Sequence, residues 1–351
     1  MFQWILGLAA LGCVAGATDT ASAAAEGKRV AMFMGPTQDK YLGALSRTFE
    51  ASAGEYGMKV TIYSSPFDPA LQAQQLDDAI AQKFDFFVVQ IISQRAIIPV
   101  LTRVKSAGIP VALVVAPMVG NDNNAQDLYL FHVGYDDTKF GELTGDAMVK
   151  ALTDAGRAKA KVAVLAGSMA EGKAPLRETA FRETVTKHAG FEVVVTEDVK
   201  WNPSVAERAA GQLLARFAGQ GGLDGIYGMN DVVANAAIQA AESAGVKVGT
   251  ASGSLVVVGG NCQAPGVKNL EAGKMVATIV QLPVEEGKIT ASLVKDYFDG
   301  KKPEKIRFLP TETITKANLA KYAQACSYEA APRASRDSAL QQSPLRAPAH
   351  P

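Results

Sequence analysis

The sequence predicts an α/β protein built as two similar doubly wound parallel-sheet lobes. From Arg29 onward, short runs of β-branched and aromatic residues alternate with segments whose apolar residues recur at helical spacing. Continuous apolar strands separated by helices are typical of a parallel sheet covered on both faces. The alternation breaks off after Val114 and restarts near Tyr129. Each series has about 130 residues, a normal size for a domain.

The first series contains four predicted strands and three predicted helices. In chain order these are strand 30–34, helix 41–56, strand 59–63, helix 71–81, strand 86–89, helix 97–107 and strand 110–114. The helix at 41–56 illustrates the evidence, because its apolar residues Leu42, Leu45 and Phe49 fall on one face.

The second series repeats this pattern. It predicts strand 129–134, helix 139–152, strand 161–165, helix 176–188, strand 192–195, helix 205–217, strand 225–227, helix 231–244, strand 255–258 and strand 277–280. Residues 329–351 combine proline with Ala, Ser and Gln and show no apolar periodicity. For this tail we predict disorder.

Composition excludes several functional classes. The chain has 351 residues, and its 35 Lys and Arg balance its 35 Asp and Glu. A protein that binds nucleic acid needs clustered basic residues to neutralise phosphates, so we predict no nucleic-acid partner. The 32 Gly and 16 Pro are spread along the chain, which excludes fibrous and low-complexity classes.

The N-terminus reads as an export signal over residues 1–25. Residues 2–16 are apolar and uncharged, and small residues of the kind a signal peptidase accepts follow at 21–25. A membrane anchor would need about 20 consecutive apolar residues, and residues 18–20 interrupt this run. Lipidation of Cys13 is an alternative. After cleavage two cysteines remain, Cys262 and Cys326, and an even number in an oxidising compartment favours a disulfide over two separate thiols.

Candidate binding residues follow the predicted strands. Open parallel sheets place ligands at the carboxyl ends of their strands, where this chain carries Asp39, Tyr41, Arg95, Arg177, Trp201, Asn230, Asn261 and Gln281. Carboxylate, amide and guanidinium groups form paired hydrogen bonds to adjacent hydroxyls, and aromatic rings cover the C–H face of a sugar. The set therefore predicts a site for a polyhydroxylated, neutral ligand.

Each candidate also has a purely structural interpretation. Asn230 is placed to cap a helix, Trp201 and Tyr41 are large enough to fill core, Arg177 is placed for an ion pair on a helix surface, and Arg95 is compatible with a solvated charge. The convergence of these residues on strand ends favours the binding interpretation.

Catalytic motifs are absent from the sequence. The three histidines, His132, His188 and His350, have no metal-ligand spacing and no nucleophile motif beside them. The glycine-rich phosphate-binding motifs are also missing. We therefore predict no enzymatic activity, no cofactor and no metal.

An ordered set of segments resembles the type I periplasmic sugar-binding proteins of bacterial ABC importers, the ribose-binding-like group. The strongest is the segment 271–283, Glu-Ala-Gly-Lys-Met-Val-Ala-Thr-Ile-Val-Gln-Leu-Pro. Others lie, in the expected order, at 76–80, 107–111, 177–181, 228–231 and 257–261. The resemblance extends from about Arg29 to Tyr328.

The resemblance implies two lobes joined by three crossovers that close on a sugar, with Tyr41 and Trp201 stacking on it. The hydrogen-bonding residues would be Asp39, Arg177, Asn230, Asn261 and Gln281. One lobe would comprise 26–135 plus 282–310 and the other 136–281 plus 311–328, with a hinge at Tyr135 and Asp136. The implied setting is the periplasm, and the implied partners are the permease transmembrane subunits, with a chemoreceptor or sensor kinase as a further partner.

Departures from the family pattern concern the ligand. The segment Val114–Met118 carries no charge where the ribose-like pattern has Asp then Arg, Asn261 replaces an Asp, and Tyr135 replaces a hinge Ser. Ribose itself is therefore not expected, whereas another sugar or a sugar derivative is, and Arg95 with Arg177 would admit an acidic group. Alternatives are a LacI-like regulator core, a binding protein for a non-sugar small molecule such as a nucleoside, and a secreted enzyme.

Overall fold

The computed structural model describes residues 24–119 and 123–328. Cys13 and the tail at 329–351 lie outside these residues, as does the predicted signal segment except for Ala24 and Ala25. Ala25 is 1% exposed and packs into the core of the first lobe. No helix within the described residues is long and apolar enough to span a bilayer.

The predicted strands and helices of both series are present, together with two short helices that were not predicted. The predicted strand 129–134 belongs to the first series and not to the second, because it pairs with the strand at 111–115. The first contains β1 (Arg29–Met34), α1 (Lys40–Glu55), β2 (Lys59–Ser64), α2 (Pro69–Ala81), β3 (Phe86–Val89), α3 (Gln94–Ser106), β4 (Val111–Val115), α4 (Asn123–Gln126) and β5 (Phe131–Gly134). The second contains α5 (Asp137–Asp154), β6 (Ala160–Ala166), α6 (Lys173–Thr186), β7 (Phe191–Asp198), α7 (Pro203–Ala218), β8 (Gly225–Gly228), α8 (Asp231–Ser243), β9 (Val256–Val258) and α9 (Ala264–Glu271).

The last part of the chain contains one predicted strand, β10 (Thr278–Ile279), and four elements that periodicity did not predict. The four are α10 (Pro283–Phe298), β11 (Ile306–Phe308), β12 (Thr313–Ile314) and α11 (Leu319–Ser327). The predicted strand 277–280 is reduced to the two residues of β10, because the chain there pairs with β12 in a short antiparallel ribbon.

Two parallel sheets organise the molecule. The larger has the strand order β11-β5-β4-β3-β1-β2, and the smaller has β7-β6-β8-β9. One face of the larger sheet is covered by α1 and α10, and the other by α2 and α3. On the smaller sheet, α5 and α6 pack on one face and α7 and α8 on the other. This arrangement confirms the predicted fold class.

Three segments carry the chain between the two sheets. β5 ends at Gly134 and α5 begins at Asp137, so residues 135–136 form the first crossing. Residues 280–282 lead from β10 to α10, and residues 309–312 lead from β11 to β12. β11 completes the larger sheet by pairing Ile306 with His132.

Candidate functional site

The carboxyl ends of strands from both sheets face one cleft. The first lobe lines it with residues that follow β1, β2 and β3, namely Asp39, Tyr41, Leu42, Phe67 and Gln90. The second lobe contributes residues from the ends of its strands and the loops beyond, namely Lys173, Trp201, Asn230, Asn261 and Gln263. Aromatic, amide and charged groups thus meet across the interlobe space.

Two lining residues hold their positions by capping helices. Asp39 caps α1, where its Oδ1 accepts hydrogen bonds from Tyr41 N at 2.9 Å and Leu42 N at 3.0 Å. Asn230 caps α8, where its Oδ1 accepts from Val233 N at 2.8 Å. The capping interpretation of Asn230 is therefore correct, and it is compatible with binding because the cap uses only the amide oxygen. Capping fixes the side chain beside the cleft.

Trp201 is held against the second lobe by a glycine and an acid. Lys200 and Trp201 both adopt left-handed backbone conformations, with φ of 52° and 58°. The indole Nε1 donates to Glu171 Oε1 at 3.1 Å. A Cβ on Gly167 would lie 2.0 Å from an indole carbon. Strained backbone of this kind persists only where surrounding contacts hold it, and it is common at binding sites.

Arg177 lies beneath the cleft and is fully buried. Its Nε donates to Asp137 Oδ1 at 2.7 Å, and its guanidinium carbon lies 3.6 Å from the centroid of the Phe140 ring. Its Nη1 donates to Asn261 Oδ1 at 3.3 Å, which links it to a lining residue. The alternative of an ion pair on a helix surface is therefore wrong, because both partners are 1% exposed.

Tyr41 belongs both to the cleft wall and to a buried polar network. Its hydroxyl donates to Glu286 Oε2, and the other oxygen of Glu286 accepts from Val115 N at 2.9 Å. Val115 has a φ of 64°, which is costly for a β-branched residue. Burial raises the pKa of Glu286 to about 7. A carboxyl from α10 thus reaches the last residue of β4.

Two charged residues that sequence reasoning missed lie at the start of α6: Glu171 in the loop before it and Lys173 as its first residue. Glu171 is 1% exposed, and burial raises its pKa to about 7 against the opposing effect of Lys173. Lys173 Nζ lies 4.0 Å from Glu171 Oε2 and 4.8 Å from the centroid of the Trp201 ring. The signal was present, because both residues follow the carboxyl end of a strand, the position that predicted the other candidates.

Three predicted site residues are absent from the cleft lining, namely Arg177, which lies beneath it, Arg95 and Gln281. Arg95 is exposed near the start of α3. Gln281 is buried, 4% exposed, in the second crossing segment and does not line the cleft. The predicted hinge residues lie in the first crossing segment, where Asp136 caps α5 and the Tyr135 hydroxyl accepts a hydrogen bond from Leu282 N. The first and second crossings are thus in direct contact.

The loop that carries Asn261 is anchored by a buried acid and a disulfide. Asp231 Oδ2 accepts from Gln263 N at 2.6 Å and from Thr278 Oγ1 at 3.0 Å, and burial raises its pKa to about 8. Cys262 and Cys326 are joined by a disulfide with their Cα atoms 5.1 Å apart. In the described part of the chain, no group of three His, Cys, Asp or Glu is placed to hold a metal ion.

Comparison with known proteins identifies similar chains. Residues 30–302 match the family described as "Periplasmic binding protein domain". The ribose import binding protein of Haemophilus influenzae is 23% identical over 283 residues, which cover 81% of this chain and 90% of that protein. A putative rhizopine-binding protein of Rhizobium meliloti is 25% identical over 328 residues, covering 92% and 99%.

The fold is also similar to solved structures. The periplasmic binding component of the arabinose ABC transporter from Shewanella sp. ANA-3, bound to L-arabinofuranose, superposes with a TM-score of 0.76 at 20% identity. The match covers 91% of this chain and 100% of the arabinose-binding chain. Both lobes and their connections are therefore included.

Proposed function

Because the chain belongs to the periplasmic binding protein domain family, we propose that it is the substrate-binding protein of an ABC importer and captures a monosaccharide or sugar derivative between its lobes. The observation that carries this proposal is the cleft that both lobes line with amide, carboxylate and aromatic side chains. Such groups suit a ligand with many hydroxyls.

The charges around the cleft favour a neutral ligand over a sugar acid. Arg177 is already paired with Asp137 at 2.7 Å, and Arg95 lies outside the lining. The cation in the lining, Lys173, lies 4.0 Å from Glu171, and the acid Asp39 lines the same cleft. A ligand carboxylate would therefore meet nearby acids, whereas hydroxyls would bind both the ammonium and the carboxylates.

In the proposed mechanism the ligand stabilises contacts between the lobes. The hinge would consist of the three crossing segments at 135–136, 280–282 and 309–312, and the lobes would be 26–135 plus 282–310 and 136–281 plus 311–328. Trp201 and Tyr41 would cover the sugar ring, and Asp39, Asn230 and Asn261 would bind its hydroxyls. Closure would present a new surface to the permease transmembrane subunits and to a chemoreceptor or sensor kinase.

The proposed setting is the periplasm, reached after removal of the N-terminal signal. Burial of Ala25 in the first lobe supports cleavage before this residue. The disulfide between Cys262 and Cys326 is compatible with an oxidising compartment.

The test is thermal unfolding of the protein from Ala24 onward with ribose, arabinose, hexoses, deoxysugars, sugar acids and polyols. A ligand that binds the folded state adds about 2.7 kcal/mol of stability at one hundred times its dissociation constant. We expect stabilisation by a neutral sugar and none by its acid derivative.

The matched variants are Trp201→Ala, which removes a lining ring, and Arg95→Ala, which removes an exposed charge outside the lining. Calorimetry should show that Trp201→Ala weakens binding at least tenfold and that Arg95→Ala leaves it unchanged. Absence of a shift with every sugar would overturn the sugar assignment and direct the search to nucleosides and other small molecules.

A further inference from the structure

Helix α11 and Tyr328, the residue after it, pack into the cores of different lobes. Leu319, Tyr322 and Cys326 bury one face of α11 in the core of the second lobe. Tyr328, immediately beyond the helix, packs instead into the core of the first lobe, where its ring lies 5.8 Å from that of Tyr41 in an edge-on arrangement. This short segment therefore joins the two lobes beside the binding residues.

The same segment holds the loop that carries Asn261. Cys326 is bonded to Cys262, and the Tyr328 hydroxyl donates a hydrogen bond to the backbone oxygen of Asn261. The disulfide holds Cys262 and the hydrogen bond holds its neighbour Asn261, and both contacts come from the segment 326–328. Tyr328 is 8% exposed, so water competes little for its hydroxyl.

The loop needs such support because its backbone is unfavourable. Asn261 and Cys262 have φ values of 81° and 52°, and consecutive left-handed residues other than glycine are rare. Cys262 N donates to Oγ1 of Thr278 in β10 at 3.1 Å, and the Asn261 carbonyl accepts from the Tyr328 hydroxyl. The Tyr328 hydroxyl and the disulfide therefore act together with Asp231 and Arg177 in holding this loop.

We propose that Tyr328, together with the Cys262–Cys326 disulfide, is a positioning element that fixes Asn261 in the cleft and so sets ligand affinity. This inference rests on the proposed function, because it takes Asn261 to contact the ligand. Tyr328 contacts Asn261 in the second lobe and packs against Tyr41 in the first, so it connects lining residues of both lobes.

The first test compares two hydroxyl deletions made on either side of Cys326. Tyr328→Phe removes the hydrogen bond to Asn261, whereas Tyr322→Phe removes a hydroxyl that binds Glu312 and Lys321 away from the cleft. The probe is the sugar that gives the largest thermal shift in the panel, and its affinity is measured by calorimetry. We expect about three- to tenfold weaker binding for Tyr328→Phe and unchanged binding for Tyr322→Phe.

A double-mutant cycle separates positioning from a general loss of structure. In the background of Asn261→Ala, the effect of Tyr328→Phe should disappear, because the side chain that it positions is gone. An equal loss of affinity in both backgrounds would overturn the proposal.

The second test needs no ligand, so its failure is distinct from failure of the sugar assignment. In the double variant Cys262→Ser with Cys326→Ser, amide hydrogen exchange in residues 259–264 should be about tenfold faster than in the native protein. Exchange in α3, which packs into a different core on the larger sheet, should be unchanged. Unaltered exchange at 259–264 in both this variant and Tyr328→Phe would overturn the proposal whatever sugar the protein binds.

Discussion

The buried ion pair between Arg177 and Asp137 supports the floor of the cleft. Asp137→Asn keeps the shape of the side chain but removes its charge, which leaves the Arg177 guanidinium buried without a counterion. We expect the free energy of unfolding to fall by about 3 kcal/mol. Urea denaturation measures this change.

The control for that variant is Asp154→Asn, which breaks the exposed pair with Lys150 one helical turn away on α5. Side chains in that pair are 76% and 62% exposed, so the loss should stay below about 1 kcal/mol. Equal losses for the two Asp→Asn changes would contradict the role assigned to Arg177.

Glu286 should make stability depend on pH. Burial raises its pKa to about 7, above the value of 4.5 expected for an unfolded chain. Between these values the folded state keeps a proton that the unfolded state has lost, so the contribution of Glu286 to stability falls as the pH rises from about 4.5 to 7.

The variant Glu286→Gln resembles the protonated side chain and has no such proton to lose. The difference in free energy of unfolding between the native protein and this variant should therefore decrease between pH 5 and pH 7.5. Urea midpoints at matched ionic strength measure this difference. Parallel curves across this range would show that Glu286 does not titrate there. Glu171 and Asp231 act in the same direction, whereas burial lowers the pKa of His132 to about 4 and acts in the opposite one.

At the residue scale, sequence reasoning located the cleft residues whose position depends on a local rule. Asp39, Trp201, Asn230 and Asn261 all follow strands and all line the cleft. The contact between Glu286 and Tyr41 joins residues far apart in the sequence, and only the packing of α10 against α1 brings them together. No local pattern contains that information.

Close helix packing at the element scale depends on glycine. A Cβ on Gly141 in α5 would lie 2.4 Å from the Arg177 carbonyl oxygen and 2.8 Å from Ala180 Cβ in α6. Gly141→Ala must push the helices apart and should cost about 1–3 kcal/mol of stability. Thermal unfolding measures the change.

Gly211→Ala in α7 is the matched control, because a Cβ there meets nothing within 4 Å. It should stabilise the protein by about 0.5–1 kcal/mol, since alanine is the better helix former. If both changes had the same sign, helix packing would not explain the Gly141 result.

The elements that sequence periodicity missed have weak apolar patterns. The buried face of α10 includes Gly287, Thr290 and Ala291, whose small or polar side chains give little hydrophobic contrast. β12 has two residues and pairs with the equally short β10. The long alternating series was predictable because strands buried on both faces are continuously apolar.

At the scale of the whole molecule, one glycine allows the lobes to approach. Gly172, at the N-terminus of α6, faces the loop after β4, and a Cβ would lie 2.3 Å from the Pro117 oxygen and 2.8 Å from Gln94 Nε2. Nearby, Gln94 N donates to the Ala170 oxygen at 3.1 Å across the same contact. The φ of Gly172 is −71°, which alanine also adopts. An alanine here therefore affects only the close contact between the lobes, not the backbone conformation.

Gly172→Ala should therefore weaken sugar binding about tenfold and leave the melting temperature of the ligand-free protein unchanged. Calorimetry measures the affinity, and small-angle scattering with saturating sugar measures how far the lobes close. Gly219→Ala, at a position where a Cβ meets nothing within 4 Å, should bind normally. Full affinity in Gly172→Ala would mean that this contact plays no part in closure.

The pairing of β11 with β5 also governs the order in which the chain can be assembled. Ile306 pairs with His132, so the edge of the first sheet stays open until the ribosome has made all elements from α5 to α10. Bringing together strands so distant in sequence slows folding. A nascent chain shorter than residue 308 thus holds an unfinished first lobe, and a pause late in translation would expose its edge strand to other chains.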